Sequence, residues 1–312
     1  MSGRILITPR SLSRGGHPGL NPLTDAGYEL VFPSPGTTPS EADLLAAVPG
    51  CVGWLAGVEP VSESVIAHAD SLRVISRNGT GIDNLPIEAI EARAISIQRA
   101  EGSNARGVAE LALGLVISGL RDIVPTNMGL KDGGWPRRIG KEIRNSRVSV
   151  IGLGAIGARF AKLALAVGAP VRGYDPFAPA DVLVHERFER TDFDTAIAGA
   201  NVLSLHVPMA SDGTALIGAS ELASVAEGAV VVNTARAGLV DSEAMVAALE
   251  SGQVGTYATD VFETEPPSPS KLLAHPRVIA TSHIGGFTVE SVERATRRAV
   301  DNILSVLESH AG

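Results

Sequence analysis

Short apolar runs alternate with amphipathic stretches from the first residues of the chain. Arg4-Ile-Leu-Ile-Thr8, Tyr28-Glu-Leu-Val-Phe32, Cys51-Val-Gly-Trp-Leu55 and Leu72-Arg-Val-Ile-Ser76 have the length and composition of strands, and 40–47 and 61–69 supply helices between them. Short parallel strands joined by crossover helices make one small α/β unit. The pattern changes at Ser103. From there a helix running to about Leu120 has almost no polar face, so it must be buried on several sides. Further strands follow at 147–151, 170–174, 201–205, 229–232, 255–258 and 278–280, with helices at 158–167 and 242–251 among them. A last helix from about Thr288 to Ser309 carries Val289, Val292, Ala299, Ile303, Val306 and Leu307 on one stripe, with Arg294, Arg297 and Arg298 facing away.

The chain has 312 residues, enough for two domains with separate cores. Hydrophobic content of 45% against 4% aromatic points to cores of Ala, Val, Leu and Ile, the usual filling of parallel sheets. The net charge is −8 and no basic block stands out, so neither nucleic acid nor an anionic membrane is an expected partner. The single cysteine, Cys51, has no partner for an intramolecular disulfide and reads as a small core residue. The apolar stretch at Ile5–Ile7 is too short for a signal peptide, and the apolar Gly107–Leu120 segment carries Glu110 and is too short to span a bilayer. A soluble, cytoplasmic protein is expected.

Val150-Ile-Gly152-Leu-Gly154-Ala155-Ile156-Gly157 follows a run of β-branched residues and opens an alanine-rich helix. Gly152 permits a tight turn, Gly154 lets the backbone approach a pyrophosphate, and Gly157 lets the helix lie close to the strand. The helix start then offers free N–H groups and a positive dipole end to the phosphates. The next strand ends at Asp175, whose carboxylate can accept from the adenosine ribose hydroxyls and would repel a 2′-phosphate. The expected cofactor is NAD, and the expected class is α/β with Rossmann-like or flavodoxin-like parallel sheets. Since the fingerprint lies mid-chain, one domain is expected to be built from both ends: 1–100 plus 286–312 for the substrate, and 101–285 for NAD.

Three residues downstream of the fingerprint suggest the chemistry. Arg236 follows the apolar run Val230-Val-Val-Asn-Thr-Ala, and its guanidinium can grip a substrate carboxylate with two parallel hydrogen bonds. Glu265 stands in a proline-braced loop after Asp260, and His283 follows a strand and precedes Gly285-Gly286. A glutamate beside that histidine would fix its tautomer and raise its pKa, so the imidazole could deliver a proton to a carbonyl oxygen as hydride arrives. His206 ends a strand and is expected to line the cofactor side, whereas His17, His68, His185, His275 and His310 are not expected to be catalytic. No metal-ligand spacing is present.

Taken in order, Asn78-Gly-Thr-Gly-Ile-Asp-Asn84, Val108-Ala-Glu110, the Gly152–Gly157 fingerprint, His206-Val-Pro208, Asn233-Thr-Ala-Arg236, Asp260-Val-Phe-Glu-Thr-Glu265-Pro266 and His283-Ile-Gly-Gly286 make the chain resemble the D-isomer-specific 2-hydroxyacid dehydrogenases, most of all the phosphoglycerate dehydrogenases. The resemblance implies an NAD-dependent oxidoreductase for a D-2-hydroxyacid and its 2-keto acid. It makes Arg236 the substrate-binding and carbonyl-polarising residue, His283 the acid/base and Glu265 its partner. Ala155 and Ile156 would meet the pyrophosphate, Asp175 the ribose and Asp260 the nicotinamide carboxamide. Thr80, Val207, Pro208, Thr234 and Ala235 would line the cofactor, with Arg236, His283 and Gly285 beside it. The loop Asn78, Gly79, Thr80 and Gly81 would offer backbone N–H groups to the substrate carboxylate, with Arg77 just before it. The Gly107–Leu120 helix would help bury a homodimer interface.

Two departures bear on the substrate. The sequence stops soon after the last helix, so the regulatory domain of longer phosphoglycerate dehydrogenases is not expected. The loop Ala56-Gly-Val-Glu-Pro60 has no Arg or Lys, although phosphoglycerate enzymes commonly place a cation there; Arg77, Arg10, Arg14, Arg137 and Arg138 are the other candidates. A phosphate-, sulfonate- or phosphonate-bearing substrate therefore stays open beside hydroxypyruvate or glyoxylate. The fold also serves as an NAD-sensing corepressor, which would keep the same three residues.

Overall fold

A computed structural model describes residues 3–14, 16–210 and 212–309; His310 lies outside them. The contacts divide the chain into two units, one of residues 1–104 and 286–312 and one of 105–285. The sequence pattern sets the first join slightly earlier, at 100/101.

The first unit holds five strands, β1 (Arg4–Ile7), β2 (Glu29–Val31), β3 (Cys51–Ala56), β4 (Val74–Arg77) and β5 (Ser96–Arg99), in the order β2-β1-β3-β4-β5. Every pairing is parallel. Side chains alternate along each strand, so the sheet has two apolar faces. Leu6, Trp54 and Ile75 join the core formed with Leu44, Val65, Ile66 and Ile90, from helices Glu41–Ala47, Glu63–His68 and Ile87–Ala92. Ile5, Ile7, Leu55 and Val74 point the other way, against Ala299, Val300, Ile303 and Leu307 of helix Val289–Ser309. The last helix of the chain thus belongs to the first sheet. Val289 does not join its buried stripe: it is exposed at the first helical residue, and burial starts at Ser291 and Ala295. Arg294 is also not purely solvent-facing, since its Nε donates to the Ser103 carbonyl at 2.8 Å.

The second unit has seven parallel strands: β6 (Val148–Ile151), β7 (Val171–Tyr174), β8 (Phe188–Arg190), β9 (Val202–Leu205), β10 (Ala229–Asn233), β11 (Val254–Thr259) and β12 (Val278–Ala280). Their order is β12-β11-β10-β9-β6-β7-β8, so the winding reverses between β6 and β9. Val148, Val150, Val230 and Val232 face helices Ala105–Leu120 and Gly157–Ala166, while Leu203, Leu205 and Val231 face the opposite core. Ala109, Ala112, Val116 and Leu120 give the Ala105–Leu120 helix its buried side. Reversal of the strand order opens a crevice at the carboxyl ends of the strands, where ligands of such sheets bind.

Candidate active site

The fingerprint occupies that crevice. It leaves β6 and runs into helix Gly157–Ala166. Gly152 has φ +92°, and a Cβ there would strike the backbone oxygen of His206, so the turn requires glycine. A Cβ on Gly154 would meet nothing within 4 Å, which leaves that stretch of backbone open to a ligand. Asp175, past the end of β7, takes the Leu153 N–H at 2.8 Å on one oxygen and the N–H groups of Phe177 and Ala178 at 2.8 and 3.1 Å on the other. It therefore ties the fingerprint to the next loop, and the one acceptor site left on its Oδ2 could take a ribose hydroxyl. Arg190 holds the same loop from below, donating to the carbonyls of Asp175, Ala178 and Pro179. Ala155, Ile156, Val207, Pro208, Thr234 and Ala235 all belong to this unit. The buried Thr234 hydroxyl has no hydrogen-bond partner among the described residues, as a group reserved for a ligand would show. These residues fit a dinucleotide.

His206 is placed differently from its sequence reading. Its Nε2 lies 2.9 Å from the Ser204 hydroxyl and its ring centroid 5.1 Å from that of Phe160, so the imidazole is turned into the core. Burial pushes its pKa down to about 3. What it offers the crevice is backbone.

The acid/base candidates meet. His283 Nδ1 lies 2.7 and 2.9 Å from the two oxygens of Glu265. Both side chains are partly exposed. With Nδ1 on the carboxylate, Nε2 is the nitrogen turned away from it, which sets the tautomer. His283 itself has φ +53°, a left-handed conformation costing a non-glycine residue on the order of 1 kcal/mol. Asp260, 2% exposed, holds this turn: its carboxylate accepts from the Ile284 N–H at 2.8 Å, the Gly285 N–H at 2.7 Å and the Thr281 hydroxyl at 2.6 Å.

Arg236 follows β10, half-buried, with Nη1 donating to the Ala235 carbonyl at 2.8 Å. Its turn is fixed by Asn233, a fully buried residue absent from the sequence-based site. Asn233 Nδ2 donates to the Arg236 carbonyl at 2.8 Å and its Oδ1 accepts from the Ala235 N–H at 3.1 Å. The signal available was an amide at the end of an all-valine run. Asn233 pairs with Thr259, the residue before Asp260, so the two buried polar groups that orient Arg236 and His283 stand on adjacent strand ends.

Residues Arg77, Asn78, Gly79, Thr80 and Gly81 belong to the first unit, at and after the end of β4. Arg77 is buried, and a Cβ on Gly79 would stand 3.2 Å from its Nη1, so the guanidinium lies under the loop. The Asn78 N–H donates to the Ala56 carbonyl at 2.8 Å, while Asn78 Oδ1 is buried with no hydrogen-bond partner among the described residues.

Residues 113–285 match the D-isomer specific 2-hydroxyacid dehydrogenase NAD-binding domain. The chain belongs to that family. It is 36% identical to the hydroxypyruvate reductase of Thermotoga maritima over 79% of this chain and 81% of that one. It is 37% identical to the D-3-phosphoglycerate dehydrogenase of Archaeoglobus fulgidus over 74% of this chain, but spans only 44% of that protein. The crystal structure of the TT0316 protein of Thermus thermophilus superposes with a TM-score of 0.85 and 30% identity, covering 98% of this chain and 97% of that one. As a member of the D-2-hydroxyacid dehydrogenases the chain is an NAD-dependent oxidoreductase. Among the described residues no cluster of side chains could hold a metal ion, and no helix is long and apolar enough to cross a membrane.

Proposed function

We propose that this chain reduces a 2-keto acid to the D-2-hydroxyacid with NADH, using Arg236, His283 and Glu265. The cofactor supplies a hydride to the carbonyl carbon. The Arg236 guanidinium holds the substrate carboxylate and polarises the carbonyl. His283 donates its Nε2 proton to the carbonyl oxygen, while Glu265, bonded to Nδ1, steadies the imidazole that gives the proton up. In the oxidative direction Nε2 takes the hydroxyl proton back. One proton and one hydride enter the substrate, so the reaction balances.

The observation that carries the reading is the contact of His283 Nδ1 with both oxygens of Glu265, which leaves Nε2 as the working nitrogen. Following NADH absorbance with hydroxypyruvate, glyoxylate and phosphohydroxypyruvate tests it: turnover of at least one supports the reading, and none with any of them refutes it.

The chain is further proposed to act as a cytoplasmic homodimer. Ile123, Met128, Leu130, Trp135 and Ile139 are all exposed within a short segment after helix Ala105–Leu120, Trp135 at 79% and Ile139 at 103%. So dense an apolar surface is a binding surface. Sedimentation equilibrium giving a monomer mass at micromolar concentration would overturn it.

A further inference from the structure

Residues in register on neighbouring parallel strands present their side chains to the same face of the sheet. Asn233 ends β10 in register with Thr259 of β11, and Val231 with Tyr257, so Asn233, Tyr257 and Thr259 share one face of the second sheet. All three are buried, Tyr257 at 3% exposure. Two backbone groups beside Arg236 fix how the Asn233 amide lies. The Ala235 N–H can only donate, so it faces Oδ1 at 3.1 Å, and the Arg236 carbonyl can only accept, so it faces Nδ2 at 2.8 Å. The second Nδ2 proton goes to the Tyr257 hydroxyl, a long contact of 3.5 Å. Beyond it, the Thr259 hydroxyl donates to the Val261 carbonyl at 3.0 Å and accepts the Val261 N–H at 3.3 Å. That pins Thr259 to the backbone and leaves it only an acceptor toward Tyr257. Burial pushes the Tyr257 pKa up, and its hydrogen bonds with Thr259 and Asn233 pull it back. Protons therefore point one way along a buried relay, from Asn233 to Tyr257, from Tyr257 to Thr259 and from Thr259 to Val261.

The Tyr257 ring packs in the apolar core with Leu203, Leu205, Val231 and Met245, where a phenylalanine would serve as well and carry no oxygen to satisfy. What the hydroxyl adds is its place in the relay. Asn233 grips Arg236 from both sides, through the N–H of the residue before it and through its own carbonyl. Tyr257 ties that grip to β11, and Thr259 ties Tyr257 to the backbone. We propose that Tyr257 is a positioning residue for substrate binding: through Asn233 it holds the Arg236 turn at the place from which the guanidinium meets the substrate carboxylate. Without the hydroxyl the amide keeps both bonds to the turn but loses its anchor on the neighbouring strand, so amide and turn can shift together. A guanidinium that binds a carboxylate through two parallel hydrogen bonds tolerates little displacement. This inference rests on the reading of Arg236 as the substrate-binding residue of a 2-keto acid reductase.

Tyr257→Phe removes one oxygen and keeps the ring in the core. Kinetics use whichever of hydroxypyruvate, glyoxylate and phosphohydroxypyruvate the wild type reduces fastest. The variant is expected to lose about three- to tenfold in kcat/KM, chiefly through a higher KM, which is the size of one neutral hydrogen bond. NADH affinity, read by fluorescence titration, is expected to match the wild type. A merely structural role lowers the melting temperature and the active fraction but leaves KM where it was. Asn233→Ala removes the group through which Tyr257 acts, so in that background Tyr257→Phe is expected to change kcat/KM by less than about twofold. An unmoved KM in folded Tyr257→Phe, an equal loss of NADH affinity, or losses that multiply in the double variant overturns the proposal. Should Asn233→Ala not fold, Asn233→Ser supplies the second background, and should neither fold, the KM of Tyr257→Phe decides alone. A wild type that turns over none of the three keto acids removes the reductase reading itself, an outcome distinct from turnover with an unmoved KM.

Discussion

The Asp260 carboxylate holds both backbone N–H groups that follow His283, Ile284 at 2.8 Å and Gly285 at 2.7 Å. Buried at the end of β11, it keeps the histidine in a conformation that an L residue rarely adopts. Asp260→Ala leaves two N–H groups and the Thr281 hydroxyl without their acceptor, each costing about 1–3 kcal/mol if it stays dry. The variant is expected to melt lower and to lose at least about tenfold in kcat, because a displaced imidazole no longer meets the carbonyl oxygen. Kinetics and calorimetry on one preparation check both, and a kcat within twofold of wild type would show the turn to be held by other means.

His283→Ala is expected to lower kcat by about 10²–10⁴-fold, the usual contribution of an acid–base group, while NADH binding measured by fluorescence stays within a few-fold. Near-normal turnover would assign the histidine a structural role.

Asp175 would face a 2′-phosphate at close range, so the wild type is expected to favour NADH over NADPH strongly. Asp175→Ala should raise the NADPH to NADH ratio of kcat/KM by about tenfold or more, with some loss for both because three N–H groups also lose their acceptor. Equal use of the two cofactors by the wild type would remove Asp175 from this role.

His206 has a folded pKa of about 3, below its ordinary 6.5. Below pH 6.5 the unfolded chain binds a proton that the folded chain refuses, so this group's stability contribution is present above that pH and is lost as pH falls toward 3. Between pH 7 and pH 5 the loss amounts to about 2 kcal/mol. His206→Asn should therefore show a smaller fall in unfolding free energy over that range than the wild type does, as measured by urea titration at each pH. Parallel curves would mean that the ring is hydrated.

The strands rich in Val, Ile and Leu were legible because a buried parallel strand needs little else, and β12 and helix Ser242–Ser251 fall where the pattern places them. Strands β5 and β8 were not: Ser96-Ile-Gln-Arg and Phe188-Glu-Arg lie at sheet edges, half-buried or exposed, and carry polar residues that read as loop. Helix Ile123–Lys131 has no buried residue, so no apolar stripe announced it. The meeting of Glu265 and His283 was expected from their order along the chain and from the family resemblance. Asn233 at its turn and the buried Glu59–Thr8 contact escaped because both depend on folded geometry. Glu59 finds Thr8 fifty-one positions away, and only the strand order brings the two together.

Packing of helix Val289–Ser309 on β3, β4 and β5 constrains the order of assembly during synthesis. The 105–285 unit is contiguous and has all its strands once residue 280 has been made. The first sheet is translated earliest, yet Ile5, Ile7, Leu55 and Val74 lack Ala299, Val300, Ile303 and Leu307 until the final residues emerge. Until then one apolar face is a target for chaperones and proteases. A chain stopped after residue 285 is expected to yield a protease-resistant fragment from the later unit and none from the first hundred residues. Protection of both would show that the first sheet folds uncovered.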